Sequence, residues 1–121
     1  MNIIPIFRCS NIKKSISFYT EILDFEAFNP DSTFGYIVLM RNKERLDLSV
    51  HSGDGIFGSR VLIIVDDVDQ LYKKLIARGL DVSGNKDSPV HQSPVDQTWG
   101  MREFYVDDPD GNTIRFAQLI A

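Results

Sequence analysis

Apolar positions along this chain pass twice from a short continuous run to a helical spacing and back to short runs. Residues 3–7 are rich in isoleucine and end on Phe7, the pattern of a buried strand. Ile12, Ile16, Tyr19 and Leu23 then recur at helical spacing, with Lys13, Lys14, Ser17 and Glu21 on the polar side. Ser10 or Asn11 stands where a side-chain oxygen can accept from the free N–H groups of the first turn. After Asp24 the pattern predicts strands over 25–28, 34–40 and 46–50, with the polar turn Arg41-Asn42-Lys43-Glu44 between the last two.

The second half repeats the order. A strand is predicted over 61–65, with Asp66 or Asp67 as the cap of the helix that follows. Val68, Leu71, Tyr72, Leu75 and Ile76 make its apolar stripe, and Gly79 after Arg78 marks its end. A further strand begins over 80–82, another runs over 101–106 and the last over 112–119. Asp108-Pro109-Asp110-Gly111 forms the hairpin, Pro being preset for the turn and Gly free to take positive φ. Cys9-Ser10-Asn11-Ile12 overlays Val65-Asp66-Asp67-Val68 at an offset of 56, and Leu46-Asp47-Leu48 overlays Ile114-Arg115-Phe116 at 68. The 12 extra residues fall in the polar stretch 83–98, a length often found in functional loops. The fold class expected is α+β, two tandem β-α-β-β-β modules over 1–52 and 60–121 within one domain.

Composition narrows the function. A single cysteine excludes an internal disulfide framework and a thiolate zinc cage. No basic stretch leads into a long apolar core near Met1, so no signal peptide is expected. The longest apolar run is far short of a membrane span. A soluble cytoplasmic protein without membrane association is expected. The formal net charge of −4 argues against nucleic acid, which wants a basic face, and permits a cationic ligand.

Few residues suggest chemistry. Gly53-Asp54-Gly55-Ile56-Phe57-Gly58 fits a dinucleotide motif in form only, because it lies between two strands with no helix until Asp67. It reads as a flexible connector. Cys9 ends an apolar strand and reads as a small core residue. His51 and His91 have no evident orienting partner and read as loop or rim residues. Asp66, Asp67 and Asp69 are explained by a helix N-terminus. Aromatic residues are more informative: Trp99, the only tryptophan, lies in a polar loop beside Gly100, and Phe34 opens a strand after Asn29-Pro30-Asp31-Ser32-Thr33. Either could stack on a flat ligand or simply cap the core.

Phe18-Tyr19 followed by Leu23 and Phe25, Val65-Asp66-Asp67-Val68-Asp69, and Asp108-Pro109-Asp110-Gly111-Asn112 resemble the signatures of the glyoxalase, bleomycin resistance and dioxygenase (vicinal oxygen chelate) superfamily. The doubled unit is that superfamily's module. Trp99-Gly100-Met101-Arg102-Glu103-Phe104 leading into that hairpin resembles the bleomycin-resistance branch. Enzymes of the superfamily place metal ligands at positions that align here with Ile4, about Asp47, Arg60 and Arg115. Isoleucine has no donor atom and arginine is a permanent cation, so the resemblance implies a lost metal site and no cofactor. Asp47 and Arg115, at matching positions, are expected to pair across the cleft.

By resemblance, the resistance proteins perform no chemistry. They sequester a large cationic glycopeptide with a planar aromatic part, in grooves of a homodimer whose N-terminal arms are exchanged. Pro5 matches the arm proline. The ligand-binding set implied is Trp99, Phe34, Asp47, Arg60, Arg115 and His51, with the first two as stacking platforms. Two alternatives stay open: a metal-dependent glyoxalase-like or dioxygenase-like enzyme with misaligned ligands, and a binding module for another small aromatic molecule.

Overall fold

The computed structural model describes residues 1–28 and 34–120, so the polar stretch 29–33 expected ahead of Phe34 lies outside the described residues. Strand β1 (Ile6–Arg8) leads to helix α1 (Ile12–Ser17), which widens into a π-turn over Phe18–Ile22. Strands β2 (Glu26–Phe28), β3 (Tyr36–Arg41) and β4 (Glu44–Ser49) complete a sheet of order β1-β4-β3-β2. A connector containing a 3-10 turn (Ser52–Asp54) precedes β5 (Arg60–Ile64) and α2 (Val68–Ala77). After a 3-10 turn (Ser83–Asn85) and the short helix α3 (Pro89–Gln92) come β6 (Val95–Asp96), β7 (Met101–Asp107) and β8 (Thr113–Leu119), in a sheet of order β5-β8-β7-β6.

The internal repeat holds at the level of single hydrogen-bonded positions. In the parallel β1–β4 pair Ile6 lies opposite Asp47, and in the parallel β5–β8 pair Leu62 lies opposite Arg115. The offsets between those pairs are the 56 and 68 residues read from the sequence. The amide of Cys9 donates to the Ser49 carbonyl at 2.9 Å, and at the same offsets the amide of Val65 donates to the Ala117 carbonyl at 2.8 Å. Of the two candidates for each cap, Asn11 accepts from the Lys14 amide and Asp67 from the Gln70 amide. Both satisfy a free donor of the first turn.

By their contacts the residues form two compact units, Met1–Ser59 with Asp107–Asn112, and Arg60–Val106 with Thr113–Ala121. In the first, Phe7, Tyr19, Leu23, Ile37, Leu39, Leu46 and Leu48 are buried between α1 and its sheet. Alternation along β3 and β4 then sends Tyr36, Val38, Arg45 and Asp47 to the open face. In the second, Val68, Leu71, Leu75, Phe104, Val106, Ile114 and Phe116 are buried, leaving Leu62, Ile64, Glu103, Tyr105 and Arg115 on the open face. The thiol of Cys9 lies in the first core, and burial pushes its pKa up to about 11, as expected of an inert core residue.

The turn between β7 and β8 belongs to the first unit. Asp108 accepts from the hydroxyl of buried Tyr19 at 2.8 Å, and from the amides of Asp110 and Asn112 at 2.9 Å each. Asn112 in turn donates to the Arg8 carbonyl and accepts from the amides of Gly58 and Ser59. Gly111 has φ +80, as the hairpin required. The glycine-rich connector is held, not loose: Arg8 donates to the carbonyls of Val50 and Gly55, and its guanidinium lies over the Phe57 ring at 4.7 Å.

Several elements differ from expectation; β3 begins at Tyr36 and not at 34, and β4 at Glu44 and not at 46. Strand β1 begins at Ile6, and Ile3 is 92% exposed, because Pro5 lacks an N–H and only its carbonyl joins the ladder, accepting from Asp47. Residues 80–82 form no strand. Val95–Asp96 pairs with β7 instead, and the intervening segment is knit by Gln92 donating to the carbonyls of Val82 and Asn85. Ile76, placed on the apolar stripe of α2, is exposed at the edge of that stripe.

Candidate functional site

Each sheet places a buried carboxylate on its open face and ties it to an arginine and an aromatic side chain. In the first module the carboxylate is Asp47, 2% exposed, which a strand interior tolerates only if both oxygens are engaged. Arg45 donates to both its oxygens, at 2.8 and 2.9 Å, and the Tyr36 hydroxyl donates to Oδ2. Burial first, then the Asp47 carboxylate, pushes the Tyr36 hydroxyl pKa up to about 12, so it stays a donor.

In the second module the carboxylate is Glu103, fully buried. Arg115 donates through Nε and Nη2 to Oε1 at 3.0 and 2.8 Å. Trp99 donates its indole N–H to Oε2 at 2.7 Å. The Arg115 guanidinium also lies over the Tyr105 ring, 5.2 Å from its centre. Asp47 and Arg115 thus each have an ion-pair partner inside their own module.

Both aromatic candidates are open to solvent. Trp99 is 56% exposed although its one polar atom points inward. Phe34 is 80% exposed, and its carbonyl lies 2.6 Å from Nε2 of His51, a contact that needs the proton on Nε2. Gly35 makes that turn possible: its φ is +71, and a Cβ there would stand 2.3 Å from Cγ2 of Val50. Phe34 and His51 thus meet in the first module, and Trp99 and Arg115 share Glu103 in the second. Arg60 opens β5 with an exposed side chain on the face of Arg115.

The positions that align with metal ligands do not fit a metal. Ile4 offers no donor, Arg60 and Arg115 are cations, and the Asp47 oxygens are engaged by Arg45 and Tyr36. Among the described residues no group of three or more His, Cys, Asp or Glu could hold a metal ion. Among them, too, no helix is long and apolar enough to cross a membrane. In the sequence Glu103 stands out only as part of the Trp99–Phe104 motif. Flanked by Arg102 and followed on the same strand by Asp107, it carries no local pattern that marks it out.

The profile of the Glyoxalase/Bleomycin resistance protein/Dioxygenase superfamily matches residues 5–116. A bleomycin resistance protein of Geobacillus stearothermophilus and one of Staphylococcus aureus are each 32% identical over 135 residues, spanning 97% of this chain and 96% of theirs. Among solved structures, a bleomycin resistance determinant encoded on the transposon Tn5 has the same fold, with a TM-score of 0.79 at 21% identity over 98% of each chain. The bleomycin-binding protein of Streptomyces verticillus, solved with copper(II)-bleomycin, gives a TM-score of 0.71 at 25% identity over 96% of this chain and 93% of that one.

Proposed function

The chain belongs to the glyoxalase/bleomycin resistance protein/dioxygenase superfamily, and on that premise we propose that it binds a bleomycin-type glycopeptide without metal and protects by sequestration. The observation that carries this reading is Trp99, an exposed indole face whose N–H is tied to a buried carboxylate. A face so held can stack on a planar group with little ordering cost. Likeness over nearly the full length to proteins named for bleomycin resistance supports the choice of ligand.

The ligand contacts we propose are, in the first unit, Phe34 as a stacking face with His51 as a polar contact, and, in the second, Trp99 as a stacking face with Arg60 as a polar contact. Asp47 contributes through Arg45, and Arg115 through Glu103, which holds Trp99, since their own charges are already engaged. A net charge of −4 suits a cationic ligand, whose approach the field of the protein favours. Residues at the metal-ligand positions favour binding over catalysis, because two are cations and one is aliphatic. The working form we propose is a cytoplasmic homodimer with exchanged N-terminal arms. Leu62 and Ile64 of β5 and Leu119 of β8 lie exposed along one sheet face, an apolar stripe that a second copy would cover.

Calorimetric titration of metal-free bleomycin into chelator-treated protein tests the reading, with binding of one drug per chain expected. No heat of binding under conditions that saturate a micromolar site would shift the assignment to another small aromatic ligand. Stoichiometric nickel, zinc or iron in the purified protein would overturn the metal-free mechanism.

A further inference from the structure

We propose that Glu103 is a positioning residue, whose buried carboxylate, held by Arg115, sets the plane of the Trp99 indole before any ligand arrives. The ligand half of this inference rests on the reading of Trp99 as a ligand contact. The half that concerns the free protein does not.

A fully buried carboxylate on an open sheet face is costly unless both oxygens are engaged. Neutralising Arg115 would need only one of them, and Arg115 uses only one: its Nε and Nη2 both donate to Oε1. The other oxygen is reserved for the indole N–H. Arg115 is itself held over the Tyr105 ring, so the acceptor is fixed from behind.

The backbone that carries Trp99 is fixed as well. The Gln97 amide donates to the Met101 carbonyl at 2.7 Å, closing the turn between β6 and β7. The Ile120 amide donates to the Gly100 carbonyl at 3.0 Å, tying that turn to the end of β8. With the main chain closed on both sides, the freedom left to Trp99 is rotation of its side chain. The bond to Glu103 removes it. An exposed aromatic ring otherwise samples several rotamers, and immobilising it on binding weakens affinity. A ring already held avoids that loss, which corresponds to roughly a 3- to 10-fold gain in affinity.

Trp99 is the only tryptophan, so the indole N–H gives one resonance in a nitrogen-correlated NMR spectrum. In the free wild-type protein we expect that resonance shifted downfield, slow to exchange with water and rigid on the nanosecond scale. In E103Q it should move toward the position of a solvent-exposed indole and lose rigidity. For metal-free bleomycin, E103Q and Trp99→Phe should each weaken binding by about the same factor, and the double variant should be no weaker than either single. A fast-exchanging, mobile indole in the wild type overturns the proposal without recourse to any variant, as does additivity of the two substitutions. A rigid, protected indole together with no bleomycin binding would sink the ligand assignment while leaving the positioning role standing.

Discussion

Asp47 and Arg115 hold the same place in two copies of one structural unit. Asp47 lies opposite Ile6 across β4 and β1, and Arg115 lies opposite Leu62 across β8 and β5. Each is neutralised within its own sheet at 2.8 Å, Asp47 by Arg45 and Arg115 by Glu103. The position is shared but the charge is opposite, so the two open faces have diverged in chemistry while their backbones keep one register. Both nevertheless hold an aromatic side chain by its polar atom: Tyr36 on Asp47 and Trp99 on Glu103. Of the two, Trp99 is the more open to a ligand.

Trp99→Ala should weaken bleomycin binding by about 1–3 kcal/mol, the usual cost of truncating a stacked aromatic anchor. The same substitution takes the indole donor from Oε2 of buried Glu103, so the thermal midpoint should fall as well. Calorimetry beside thermal denaturation separates the two effects, and an unchanged affinity removes Trp99 from the site.

Tyr19→Phe should destabilise the fold by about 1–3 kcal/mol, because it deprives the buried Asp108 carboxylate of one donor. Burial already raises the Asp108 pKa, which marks how little solvent can replace the lost bond. Denaturant unfolding measures the loss. Amide exchange should quicken in the 107–112 turn that Asp108 organises.

Arg102 holds the Asp69 carboxyl below its ordinary pKa of 3.8 through a bidentate contact, with oxygens 3.0 to 3.2 Å from the guanidinium. A depressed carboxylate pKa means the folded state keeps the charge longer than the unfolded chain does. Its contribution is therefore complete above 3.8 and is lost as pH falls through the lowered value. Asp69→Asn should lower the denaturation midpoint at neutral pH. Below pH 3.8 the variant should follow a flatter curve than the wild type, and a parallel curve would contradict the assignment.

How much of this was legible in the sequence depends on which physical signal each part leaves. The repeat, both caps and the hairpin rest on local chemistry (spacing, a side-chain acceptor, a glycine at positive φ), and these survive in a single chain read alone. The strand expected over 80–82 was displaced because the stretch up to Val95 is organised by polar side chains. Gln92 donates to Val82 and Asn85, while Tyr72 donates to the Gln92 carbonyl, bonds that leave no periodicity. Trp99 was visible as an oddity of composition. Glu103 was not, because its role depends on burial and on Arg115, 12 residues away across a hairpin.

Sedimentation should show a dimer at micromolar concentration, since an isolated chain leaves Leu62, Ile64 and Leu119 exposed on one face. Ile64→Glu should shift the protein to monomer without loss of secondary structure, because that side chain is not part of the core. A wild-type monomer at working concentration contradicts the assembly.

The most direct test follows the emission of Trp99 while metal-free bleomycin is added to the chelator-treated protein. Stacking on the planar part of the drug predicts saturable quenching complete at one drug per chain. Unchanged emission at micromolar drug would contradict the account.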